Sequence, residues 1–154
     1  MSIYEPGKPL YTSAGEVDPD VALRLHAEHL LELSDERGRL MQLAPGDVIW
    51  SMSPEGRITH VSREVEAMRG LTPEEALQQS LDEILTPASQ QISLAYFQTL
   101  IGTLAAGGKP AAFRGELEYT CKDGTTVLAD VQTVPHINAA GELVELLGIS
   151  RAIS

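Results

Sequence analysis

From Gly46 onward, apolar and polar residues alternate in short bursts, and the bursts end at polar turns that contain glycine. A period of two sends successive side chains to opposite faces of an extended strand, so the bursts predict β-structure. The stretch GDVIWSMSPEGRITHVS, Gly46 to Ser62, gives two strands around SPEGRI, and CKDGTT and NAAGEL repeat the arrangement. Each turn needs a residue that accepts a positive φ, which glycine does without steric cost, so three hairpins are expected. In the first strand Trp50 and Met52 share one face, while Ile49 and Ser51 share the other.

Between the first and second hairpins the period becomes helical, through SREVEAMRG, LTPEEALQQSLDEIL and SQQISLAYFQTLIGTLAAGG. Thr72 followed by Pro73, Glu74 and Glu75 is a helix start with acids in the first turn, where they complement the dipole. In the third segment Leu94, Phe97, Leu100, Ile101 and Leu104 share one face, and Gly107-Gly108 ends it. Strands joined by hairpins make a mostly antiparallel sheet, which the helices cross to connect the second strand to the third. The last strand, ELVELLGIS, is apolar on both faces, with Val144 and Leu146 on one and Leu143, Leu147 and Ile149 on the other. It is expected at the centre of the sheet, covered on both sides.

Residues 1–17 mix Pro, Gly and Ser without hydrophobic period and read as a flexible tail. Asp18 and Pro19 then start a helix over 18–44, in which Leu23, Leu30, Leu33 and Leu40 draw one apolar stripe. Ser34 and Gly38 allow a kink within it. Two uses of the stripe stay open: a lid on one face of its own domain, or a dimerising seam between two copies.

At 154 residues and 43% hydrophobic, the chain has room for one globular domain, 45–154, beside that helix. A net charge of -11 argues against binding nucleic acid or anionic lipid. The single cysteine, Cys121, excludes an internal disulfide and a multi-cysteine zinc site, and fits a reducing compartment. The first twenty residues lack the basic flank and apolar run of a secretion signal. Leu85 to Gly108 carries no charge, yet Gln90, Gln91 and Gln98 interrupt it, so a buried helix is expected there rather than a membrane span. A cytoplasmic location is expected.

DVIWSMSPEGRITHVSREVEAMRGLTPEEALQQSLDEIL followed by FRGELEYTCKDGTTVLADVQTVPHINAAGELVELLGISRAIS resembles the PAS sensory domain, over roughly Ala44 to Ser154. The turn at Ser53, Gly56 and Ile58, the LTPEE helix start, the hairpin from Glu118 to Thr125 and the closing GISR carry the likeness. The resemblance implies an α+β fold: a five-stranded antiparallel sheet, order 2-1-5-4-3, with helices over one face and a pocket between them. The N-terminal helix would flank the other face, where Ile49, Val61, Leu128 and Val134 would otherwise be exposed among Thr59, Asp130 and Gln132.

With the facing of the strands taken from that family, Ile58 joins Trp50 and Met52 toward the pocket. The later strands contribute Phe113, Leu117, Tyr119, Ala129, Val131, Thr133, Val144, Leu146 and Ser150, and the helices Met68, Phe97 and Leu100. Ala129, Gly148 and Ser150 are small enough to leave room near the sheet's centre, and Tyr119, Thr133 and Ser150 supply polar groups. Such a wall suits a small, mostly apolar ligand, or else its large side chains fill the space themselves.

Family photoreceptors carry a reactive cysteine where Leu81 stands, so a flavin-cysteine adduct is not expected; haem-binding relatives place a histidine on the long helix, Ser89 to Ala106, which has none. His60 and His136 fall on strands, and His26 and His29 read as a polar helix face. No nucleophile motif or phosphate loop is present, so no enzyme is expected. The family's closing aspartate is replaced by Ala152. The expectation is a sensory PAS module that acts as a homodimer on a downstream effector, with a ligand-free dimerisation or docking domain as the alternative.

Overall fold

The computed structural model describes residues 11–12, 15–16 and 44–153. Five strands form one antiparallel sheet: β1 (Val48–Met52), β2 (Ile58–Val61), β3 (Phe113–Thr120), β4 (Thr126–Ile137) and β5 (Leu143–Ala152), in the spatial order β2-β1-β5-β4-β3. The last strand lies in the middle, as its two apolar faces require: Leu146, Leu147 and Ile149 are all buried. All three hairpins are closed the same way. The amides of Gly56, Gly124 and Gly141 donate to the carbonyls of Ser53, Cys121 and Asn138, and each glycine has φ between 81° and 89°. A side chain there would be strained, which is why glycine recurs at these three points.

Two bulges change the facing that strict alternation predicts. Met52 pairs with Ile58 although Ser51 pairs with His60, so Thr59 is an extra residue, and Ile58 and Val61 both turn to the helical side. Val61 thus leaves the outer face assigned to it by counting. In β5, His136 pairs with Glu145 but Ile137 with Leu143, which makes Val144 the extra residue. Leu143 therefore packs with Met52, Leu100 and Leu146 on the inner side, and Val144, expected there, is exposed.

Among the described residues four helices cover the inner face: α1 (Val65–Arg69), α2 (Pro73–Leu77), α3 (Leu81–Ile84) and α4 (Pro87–Ala105). The segment that periodicity joins into one helix is divided into α2 and α3, because it holds two start signals. Thr72 caps α2 by accepting from the Glu75 amide, while the Glu75 carboxylate accepts from the Thr72 amide. Ser80 repeats half of this device, its amide donating to Glu83 at 3.0 Å. Along α4 the buried stripe is narrower than expected: Leu100 is buried, Phe97 and Leu104 pack beside it, and Leu94 and Ile101 face outward. The helix expected to be buried is a surface helix with one flank inward, kept polar by glutamine, serine and threonine rather than by charge.

The outer face of the sheet is closed in its middle, where Ile49, Gln132, Val134, Leu147 and Ile149 are buried, whereas Leu128 is exposed. At its edge Asp47, 2% exposed, receives Nε and Nη2 of Arg151 at 2.8 and 2.9 Å, a two-pronged bond from the lead into β1 to the end of β5. The stripe of Leu23, Leu30, Leu33 and Leu40 lies outside the described residues. A two-residue ladder, Tyr11–Thr12 with Gly15–Glu16, falls within the expected tail. Among the described residues no helix is long and apolar enough to cross a membrane.

Candidate functional site

Between the helices and the inner face of the sheet lies a cavity of about 70 Å³. Of the residues proposed to face it, Trp50, Met52, Ile58, Phe113, Leu117, Tyr119, Thr133 and Ser150 line it from the sheet and Met68 from α1. Ala129 and Val131 face the same way but are packed in a closed cluster with Ile84, Leu85, Leu117 and Tyr119. Leu100 and Phe97 pack against Met52 and Leu146, off the cavity wall.

Several lining residues went unrecognised in the sequence. Val48 and Val61 extend the wall beyond Trp50, and Val65, Arg69 and Ala76 enter from α1 and α2. Leu81 and Ile84 of α3, Leu85 just after it, and Ser93 and Tyr96 of α4 complete it. Val48 was readable, since it alternates with Trp50; Val61 was hidden by the bulge, and the α3 residues by the unrecognised helix start at Ser80. Tyr96 closes one end, its ring 5.4 Å from that of Phe113 and its hydroxyl donating to the Ala111 carbonyl at 2.9 Å.

Small residues do not leave the expected gap over the centre of the sheet. The indole of Trp50 lies flat on Gly148, its partner across β1 and β5, so closely that a methyl group at Gly148 would overlap it. Trp50 Nε1 donates to Ser150 Oγ at 2.9 Å, and the hydroxyls of Ser150 and Tyr119 are 2.6 Å apart. Three polar groups are thus hydrogen-bonded to one another inside an apolar wall. Burial pushes the Tyr119 phenol above its ordinary pKa, against the opposing pull of the Ser150 hydrogen bond and the Arg69 charge.

Arg69 is the one charged residue in that wall among the described residues. It is 5% exposed, and its guanidinium lies over the Tyr119 ring, 5.5 Å from the centroid. Nε and Nη2 donate to the Thr120 carbonyl at 3.0 and 2.8 Å, and Nη2 also reaches Gln79 Oε1 at 2.7 Å. Burial lowers its pKa from the ordinary value, with Tyr119 and Cys121 opposing. At the end of α1, before Gly70, an arginine reads in sequence as a solvated helix terminus, so nothing there announced its burial.

The PAS fold family model matches residues 36–153. The chain belongs to the PAS family. Three solved structures show how widely this PAS domain's architecture recurs. A PAS domain from Colwellia psychrerythraea shares 23% identity, with a TM-score of 0.57, over 70% of this chain and 86% of that one. The PAS-B domain of Drosophila melanogaster Cycle, with bound ethylene glycol, has 15% identity and a TM-score of 0.58 over 69% of this chain and 99% of its own. A domain of a sensory box sensor histidine kinase/response regulator from Geobacter sulfurreducens has 19% identity and a TM-score of 0.53, covering 84% of this chain and 96% of that one. At these identities the likeness is one of fold. No curated protein matches this chain.

Proposed function

We propose that this PAS domain is a sensory module that holds a small, mostly apolar molecule between its helices and sheet. The observation that carries this reading is the cavity itself: an apolar wall around an internal polar cluster, Trp50, Ser150 and Tyr119, gives a ligand both contact area and orientation. Occupancy would favour one packing of α1 to α4 over the sheet, and its leverage is limited to the ligand's differential affinity for the two packings. The output would pass through a homodimer built on the Leu23, Leu30, Leu33 and Leu40 stripe to an effector, in the cytoplasm. No catalysis, flavin adduct or haem is part of the proposal.

Trp50 is the only tryptophan and stands in the cavity wall, so its fluorescence reports occupancy directly. The test is native mass spectrometry of freshly purified protein, followed by a small-molecule library read by Trp50 emission. A retained mass or a saturable change supports sensing. A bare protein that no compound perturbs favours the second reading, a docking module, for which exposed Leu94 and Ile101 on α4 are the specific observation.

A further inference from the structure

Among the described residues the cavity wall offers hydroxyl groups and one positive charge, with no anion to answer them. Ser150 and Tyr119 have two hydroxyl protons between them, and the single bond that joins them uses one. Trp50 Nε1 already fills a lone pair of Ser150. One O–H of the pair is therefore left without an acceptor among the described residues, whichever hydroxyl donates to the other. Thr133, also in the wall, makes no side-chain hydrogen bond among the described residues.

The charge is equally uncompensated. Among the described residues the ion pairs are Arg114–Asp130, Lys122–Glu75 and Arg151–Asp47, beside a His136–Glu145 hydrogen bond, and none includes Arg69. Its acceptors, the Thr120 carbonyl and the Gln79 amide oxygen, satisfy hydrogen-bond geometry but carry no net charge. A guanidinium does not lose its proton in a protein, so its burial without a carboxylate is a standing cost that an anion beside it would offset. The Tyr119 ring under the guanidinium offsets only part of it.

We propose that the cavity of this PAS domain is selective for a short-chain aliphatic carboxylate, its head accepting the spare hydroxyl proton of Tyr119 and Ser150 in the field of Arg69, and its tail against the apolar wall. The assignment rests on the sensory reading above and names its ligand class. Charge-assisted hydrogen bonds are about twice as strong as neutral ones, so a carboxylate should bind roughly ten- to a hundredfold more tightly than an uncharged molecule of the same length.

The experiment is a titration of Trp50 fluorescence in the intact chain with butyrate, 1-butanol and n-butylamine. Butyrate is expected to bind at least about tenfold more tightly than either, and its affinity should fall as pH is lowered through the acid's own pKa. Arg69→Met should bring butyrate within about threefold of butanol, and Arg69→Lys, which keeps the charge, should restore part of the preference. Because Arg69 also ties α1 to β3, folding of both variants is checked by circular dichroism; if they do not fold, the wild-type comparison and its pH profile decide alone. Butanol binding as well as butyrate, or butyrate affinity that rises at low pH, overturns the carboxylate assignment and leaves the cavity reading intact. Silence from all three probes overturns the assignment, and the wider library then decides whether the sensory reading falls with it.

Discussion

Gly148→Ala tests the central packing contact, and two physical effects give it opposite signs. Glycine within a strand is worse than alanine by about 0.5–1 kcal/mol, so backbone entropy alone predicts that the variant is stabilised. The structure predicts the reverse. An added Cβ would lie 2.5 Å from Cδ2 of Trp50 and nearer still to Cε2 and Cζ2, against a normal carbon separation of about 3.5–4.0 Å. The indole would have to move by more than about 1 Å, enough to stretch its 2.9 Å bond to Ser150 beyond hydrogen-bond range. Overpacking costs about 1–3 kcal/mol and the lost bond about 0.5–1.5 kcal/mol, so a net loss of about 0.5–4 kcal/mol remains after the entropic gain. Urea denaturation followed by circular dichroism measures it, and Trp50 emission should shift as the indole leaves its seat. The control is Trp50→Ala, in which Gly148→Ala should become neutral or stabilising because nothing is left to collide with. A variant as stable as wild type with unchanged emission, or the same loss with Trp50 removed, would refute the close contact.

Thr72→Ala removes the hydroxyl that caps α2 and should cost about 1 kcal/mol in urea denaturation. Arg151→Met leaves the buried Asp47 carboxylate without its two charge-assisted bonds; about 2 kcal/mol is expected, with part recovered when Asp47→Asn is added. Tyr119 gives a pH test. Its folded pKa is raised, so its contribution to stability is present below the unfolded value of about 10 and is lost as pH rises through the folded value. The urea midpoint should therefore fall more steeply between about pH 9 and 11 in wild type than in Tyr119→Phe; equal slopes would show that the phenol is not buried as described.

The strands, hairpins and central place of β5 were legible because each rests on a local pattern, such as glycine in the three turns or apolar residues on both faces of Leu143 to Ile149. What escaped are features that depend on counting across an irregularity. One extra residue at Thr59 turned Val61 inward, and another at Val144 exchanged the facing of Leu143 and Val144. The second helix start at Ser80 was present in the sequence as S-x-x-E, but it was read as part of a longer period. The cavity wall was half legible for the same reason. Positions set by strand alternation, once the family supplied the facing, such as Trp50 and Thr133, fall in the wall, while those set by helix docking, such as Ser93, Tyr96 and Ala76, have no marker in their own neighbourhood. Gly148 shows the limit of residue size as evidence: a missing side chain implied space, and a tryptophan from the adjacent strand occupies it.

Ser150 and Arg151 are consecutive residues of the middle strand, and alternation sends them to opposite faces. The first touches Trp50 and Tyr119, and the second grips Asp47 just ahead of β1. In the proposed sensory role, a tilt of this strand caused by pressure on Ser150 would load the Asp47 clasp one peptide unit away. In that role the strand would act as a rocker whose two arms are a single residue long, a second route out of the chamber beside the packing of the helices.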